Sequence, residues 1–260
     1  MPFPLSDRVI YESNPLSQVI CQLRFPPILK IDAQIPADFQ GHIRQFYPLF
    51  SEAQPFEPLS VPQEVLRLFP AGLPVRAAKQ YEFRSADGLW TVTLTKESLA
   101  LACAKYSRWE EFLNNFRGPF EALVGLYDPA FFSRIGLRYA NVIQRSTLEL
   151  EGVPWSELLK PYIAGEMTTP LAPLLEDTTH TLVVKLENVV GKVRIYHGIA
   201  KITGSPEEVY VIDNDFYTEE RVDKVHALER LVEFNKKSGH LFRWFITDRL
   251  HAAMQPRRIG

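Results

Sequence analysis

Cysteine is scarce in this 260-residue chain: there are two, Cys21 and Cys103. Both lie in apolar stretches with no C-x-x-C or Cys/His spacing around them. That argues against structural zinc and against a disulfide framework, and leaves them as small buried hydrophobes. Long hydrophobic runs are missing too, since nowhere do the roughly 18 consecutive apolar residues of a membrane span occur. The opening MPFPLSDRVIYESNPLS puts prolines and charges where a signal peptide needs an unbroken apolar stretch. The expected compartment is the cytoplasm, with no membrane partner. Nor is there an excess of one charge sign: 29 Lys plus Arg face 31 Asp plus Glu, a net charge of -2. No global field therefore draws the chain to nucleic acid or anionic lipid, although a local basic patch stays open. Finally, there is no G-x-S-x-G elbow, no P-loop and no G-x-G-x-x-G, which removes the usual support for nucleophile-elbow hydrolases and the common nucleotide folds.

What is present is ordinary globular material, with 46% hydrophobic and 23% charged residues, enough to bury a substantial core. Gln18 to Phe25 is rich in β-branched and aromatic residues and is closed by Pro26-Pro27, which predicts a strand. Phe39, Ile43, Phe46, Tyr47 and Phe50 recur at helical spacing behind Pro36, predicting an amphipathic helix over 36–50 that ends near Pro48. Residues 51–78 are a proline-rich connector in which only Val65 to Phe69 suits a short strand. Tyr81 and Phe83, then Asp87-Gly88, then Trp90, Val92 and Leu94 read as a hairpin. A third strand follows at Leu99 to Tyr106. Ser107 and Glu110 have capping-box spacing before a helix whose apolar stripe runs from Trp109 to Val124, with Pro119 inside it as an expected kink.

The second half repeats this order. Phe132 to Ile143 predicts a strand, Trp155 to Ile163 a short helix, and 164–179 another connector. Three strands follow at Thr181 to Glu187, Lys192 to Lys201 and Glu208 to Phe216. Thr218 with Glu219 and Glu220 is expected to open a last long helix running to Leu250, bent at Ser238-Gly239. The fold class expected is α+β, antiparallel sheets with packed helices. Residues 1–128 and 129–260 are read as two β-α-β-β-β-α repeats forming one pseudo-symmetric body.

Candidate sites are few. In VIDNDFYTEE, Asp213 and Asp215 point to one face of a strand end, a placement that could bind Mg²⁺ for hydrolytic or nuclease chemistry. The plainer alternative makes them the wet face of a strand whose core face is Tyr210, Ile212 and Phe216. His42, His197, His226, His240 and His251 lack the i, i+4 spacing of a metal pair and read as surface or hydrogen-bonded core residues. Arg24, Arg84, Arg134, Arg138 and Arg194 lie on predicted strands with Tyr81, Trp90 and Tyr139 among them. Arginines interleaved with aromatics on one sheet could hold a nucleic-acid strand or an acidic partner; the alternative is a polar sheet face with arginine stems packed over rings.

N-P-L-x-x-V-I-C-Q-L-R-F-P-P-I (Asn14 to Ile28), the Trp90 to Leu101 segment, Y-S-R-W-E-E-F (Tyr106 to Phe112), R-I-G-L-R-Y-A-N (Arg134 to Asn141) and I-D-N-D-F-Y (Ile212 to Tyr217) resemble a sporadically distributed family of uncharacterised bacterial proteins of about this length. The resemblance carries no assigned activity or catalytic residues. It implies a patchy, horizontally mobile distribution, common among accessory and defence-island genes. With 12% aromatic residues and no motif for chemistry, the expected function is a non-enzymatic protein that binds a protein partner, antitoxin-like or a defence-system accessory. Nucleic-acid binding through Arg24, Arg84, Arg138, Arg194, Trp90 and Tyr139 is the alternative, and a metal-dependent hydrolase or nuclease on Asp213 and Asp215 the second. No cofactor and no metal site are expected; a homo-oligomer is compatible with any of these.

Overall fold

A computed structural model describes residues 3–53, 79–202, 204 and 207–258. In chain order the first half contains β1 (Val9–Tyr11), β2 (Leu16–Arg24), the short helices α1 (Leu29–Ala33) and α2 (Ala37–Ile43), then β3 (Leu49–Ala53), β4 (Gln80–Arg84), β5 (Trp90–Thr95), β6 (Ser98–Cys103) and the long helix α3 (Trp109–Tyr127). The second half contains β7 (Arg134–Gln144), α4 (Trp155–Leu158), α5 (Pro161–Ala164), β8 (His180–Lys185), β9 (Lys192–Lys201), β10 (Glu208–Thr218), the long helix α6 (Ala227–Phe245), α7 (Asp248–Ala253) and β11 (Pro256–Arg258).

Among the described residues, nine strands form one antiparallel sheet in the order β3-β4-β5-β6-β2-β7-β10-β9-β8, and β1 pairs with β11 in a separate ribbon. The period-two pattern sorts side chains onto the two faces. Val19, Cys21 and Leu23 of β2, Ile135, Leu137 and Tyr139 of β7, and Tyr210, Ile212 and Phe216 of β10 are buried on one face. Both long helices lie against that face: Phe112 of α3 meets Trp90 at 5.8 Å between ring centroids, and Phe234 of α6 meets Phe216 at 6.2 Å. Each helix lays its apolar stripe on the sheet, so one continuous core lies between the two layers. The cysteines are free and buried there. The α+β class with antiparallel pairing is as expected. No helix among the described residues is long and apolar enough to cross a membrane.

Several local expectations are corrected. The helix predicted over 36–50 stops at Ile43, and residues 49–53 become strand β3. Pro48 disfavours helical backbone at the residue before it, and beyond it Phe50 pairs with Phe83 across the sheet. Ser107 does not cap α3. The N-cap is Arg108, without a side-chain cap bond, and the Ser107 hydroxyl bonds Glu111 instead. Thr218 is the last residue of β10, not a helix start; its Oγ1 accepts the Glu220 N–H, and α6 begins only at Ala227. Helix α6 passes through Ser238-Gly239 and ends at Phe245. The Trp155 to Ile163 helix is divided into α4 and α5. The strand predicted at Val65 to Phe69 lies outside the described residues.

Candidate functional site

The second face of the sheet carries no helix among those described, and it is where the sequence-predicted arginines and aspartates meet. Strand alternation and register place them. Arg24 of β2 lies opposite Arg134 of β7, and Arg138 of β7 lies opposite Asp215 of β10, which in turn faces Arg194 of β9. Arg138 donates from Nε and Nη2 to the two carboxylate oxygens of Asp213 at 2.8 and 2.7 Å, a forked, charge-assisted pair. Arg134 donates from Nη2 to Asp215 Oδ2 at 2.8 Å. The ring of Tyr217 lies beneath the guanidinium groups of Arg134 and Arg194, at 5.0 and 5.8 Å.

The electrostatics follow from partial burial. The paired side chains are only 22% exposed in Arg138 and 10% in Asp213. Desolvation holds the carboxyls of Asp213 and Asp215 above the ordinary aspartate range, against the pull of the neighbouring guanidiniums. Arg24 is lowered by burial and then by the positive charge of Arg134 opposite it; its Nε donates to Gln22 Oε1 at 3.2 Å. In this cluster four arginines (Arg24, Arg134, Arg138, Arg194) meet two aspartates, with Glu97 acting on Arg24 as a third carboxylate, so the middle of the face carries a small positive surplus. Arg194 is exposed.

The other predicted residues go elsewhere. Arg84 is on the same face but pairs with Glu82 at 2.6 Å on β4, four strands from β7, roughly 19 Å at the usual strand spacing. Trp90 and Tyr139 point to the opposite face, buried under the helices. Asp213 and Asp215 do share a face, and arginines hold both oxygens of Asp213 and Oδ2 of Asp215; no group of three or more His, Cys, Asp or Glu side chains suited to a metal ion occurs among the described residues. Sequence reasoning missed the Arg138–Asp213 fork and the Arg134–Asp215 pair, because the pairing of β7 with β10 spans about 75 residues of chain. It also missed the stacking of Arg134 on Tyr217. The only advance signal was the i, i+2 spacing of the aspartates and the i, i+4 spacing of Arg134 and Arg138.

The histidines do not converge. His197 is buried; its Nδ1 and the Tyr210 hydroxyl share a hydrogen bond at 2.7 Å and its ring stacks on His180 at 5.0 Å. Burial, then the charge of His180, pushes its pKa down to about 4, so it is neutral at physiological pH. His251 is hydrogen-bonded to the Tyr11 hydroxyl at 2.8 Å, His240 Nδ1 accepts the Ser6 backbone N–H at 3.1 Å, and His226 lies beside Glu229. No family model matches the chain, and a comparison with curated proteins finds no match either.

Proposed function

We propose that this chain is a non-enzymatic interaction protein whose second sheet face, bare of helices among the described residues, holds a protein partner by an acidic segment. The observation that carries this reading is the surplus of four arginines over two aspartates on the central strands. Half-buried guanidiniums already fixed by Asp213 and Asp215 lose little side-chain freedom on meeting further carboxylates, which favours binding. The antitoxin-like or defence-accessory setting is what the family resemblance implies.

Nucleic acid fits this face less well. Single-stranded binders use exposed rings as stacking platforms, whereas Trp90 and Tyr139 are turned into the core and Tyr217 is covered by arginine. A metal-dependent hydrolase fits least, since a cation at Asp213 would have to displace a two-bonded guanidinium. The same reading takes 1–128 and 129–260 as copies of one module. What supports the duplication is strand order: β4-β5-β6-β2 in the first half corresponds to β8-β9-β10-β7 in the second, and β2 and β7 adjoin at the centre.

The test is native co-purification of the tagged full-length chain beside an Arg24→Glu/Arg194→Glu variant, with and without nuclease. The partner should travel with the wild type through nuclease treatment and be lost from the variant, while both proteins melt within about 2 °C of each other. The same partner on the charge-reversed variant would end the proposal, and retention abolished by nuclease would transfer the face to nucleic acid.

A further inference from the structure

On the helix-covered side of the sheet, away from the arginine cluster, there is a cavity of about 360 Å³. Its walls are the N-terminal segment Ser6 to Tyr11, the start of α3, the central strands β2 and β7, and the middle of α6. It opens to solvent on one side, and the volume falls in the range of small-molecule sites. Five aromatic side chains, Tyr11, Tyr106, Trp109, Tyr139 and Phe242, line it. Tyr106 and Tyr139 meet edge to face at 6.0 Å, and the Tyr139 hydroxyl donates to Asn235 Oδ1 at 2.8 Å, which holds the Asn235 amide at the cavity wall.

The charges at the wall are unbalanced. Arg8, Arg108, Lys236 and Arg243 line it with only Asp7 and Glu110. Arg8 pairs with Glu110, Arg243 with Asp248 and Asp7 with Arg258. Arg108 and Lys236 form no ion pair among the described residues and are exposed. Gly239 lines the cavity from the interior of α6, and a Cβ built there would meet nothing within 4 Å, so a large side chain placed at this position has room to enter the cavity.

From the aromatic walls, the fixed amide and the two unpaired cations, we infer that this cavity binds a small aromatic anion, a flat ring system bearing a carboxylate, sulfonate or phosphate. The ring lies between the tyrosines and Phe242, and the acid group faces Arg108 and Lys236. This site is independent of the partner-docking face.

The probe is 8-anilinonaphthalene-1-sulfonate, titrated by fluorescence into the folded full-length chain, with neutral N-phenyl-1-naphthylamine as its uncharged counterpart. One equivalent should bind. Gly239→Phe should weaken both probes about tenfold or more, and Arg108→Glu/Lys236→Glu should weaken the sulfonate about tenfold while leaving the neutral probe unchanged. If Gly239→Phe lowers the melting temperature, Val232→Phe on the same wall replaces it under the same criteria. Sulfonate binding that survives the blocking variant, binding at several equivalents, or no binding to the wild type would overturn the site. Charge reversal that leaves the sulfonate unaffected would overturn its assignment to anions.

Discussion

His197 sits in mid-strand under the helices, where its neutral ring is hydrogen-bonded to the Tyr210 hydroxyl and packs edge-on against Phe245. Its folded-state pKa, about 4, lies below the ordinary value of 6.5. At pH above 6.5 the ring is neutral in both folded and unfolded chains, so stability is undiminished. As pH falls from 6.5 towards 4 the unfolded chain takes up the proton and the folded one does not, and stability drops by on the order of 3 kcal/mol. Urea midpoints at pH 7 and pH 4.5 should differ accordingly, and His197→Gln should flatten much of that difference. Two glycines on the arginine-bearing face give a second residue-scale contrast. An added Cβ at Gly198 would collide with the backbone carbonyl of Thr178, whereas at Gly136 it would meet only the movable end of Arg134. Gly198→Ala should therefore destabilise by about 1–3 kcal/mol or more and Gly136→Ala by less, as read from denaturant melts; the reverse order would show that the Thr178 backbone gives way.

Among the elements, the end of α6 shows how tertiary contacts override a local signal. Ser238-Gly239 is the weaker helix-forming pair, yet the helix continues through it and breaks at Ile246, whose backbone is extended (φ -105°, ψ 151°). The Lys160 N–H donates to the Phe245 carbonyl and the Thr247 N–H to that of Leu158, so the chain is held by α4 and the residues after it. Thr247 then caps α7, accepting the Leu250 N–H at 3.4 Å, while its hydroxyl donates to the Glu157 carbonyl at 2.8 Å. Thr247→Ala should cost about 1–2 kcal/mol by urea unfolding, with Thr247→Ser restoring most of it. Equal stability of the alanine variant would show that α7 is held by Leu250 packing alone. The absence of a capping bond at Ser107 is the converse case. The S-x-x-E spacing is present, but the turn geometry makes Arg108 the boundary residue.

At the scale of the molecule, β2 and β7 pair across the middle of one sheet, from Leu16 opposite Asn141 to Arg24 opposite Arg134, with a register shift between Leu16 and Gln18. Both are central strands, so neither half of the chain has an independent sheet edge at that join. Unfolding should be a single transition, with far-ultraviolet circular dichroism and tryptophan fluorescence superimposing along the urea axis. Trp90 and Trp109 report on the first half and Trp155 and Trp244 on the second. Two separated transitions would mean that the halves unfold on their own.

Much of this architecture was legible in the residues. Period-two alternation marks β2, β4, β5, β7, β9 and β10, Asp87-Gly88 marks the hairpin turn, and the apolar stripes of α3 and α6 announce helices that cover one sheet face. Such signals are local, set by backbone sterics and by which side of an element must leave water. They could not place β1 against β11, convert 49–53 from helix to strand, or turn Trp90 and Tyr139 away from the arginines. Those outcomes depend on strand register and on contacts between distant segments. The same is true of the fork that joins Arg138 to Asp213 and of the cavity lined by Tyr106, Tyr139 and α6: sequence alone supplied the chemistry, and only long-range packing brought it to one place.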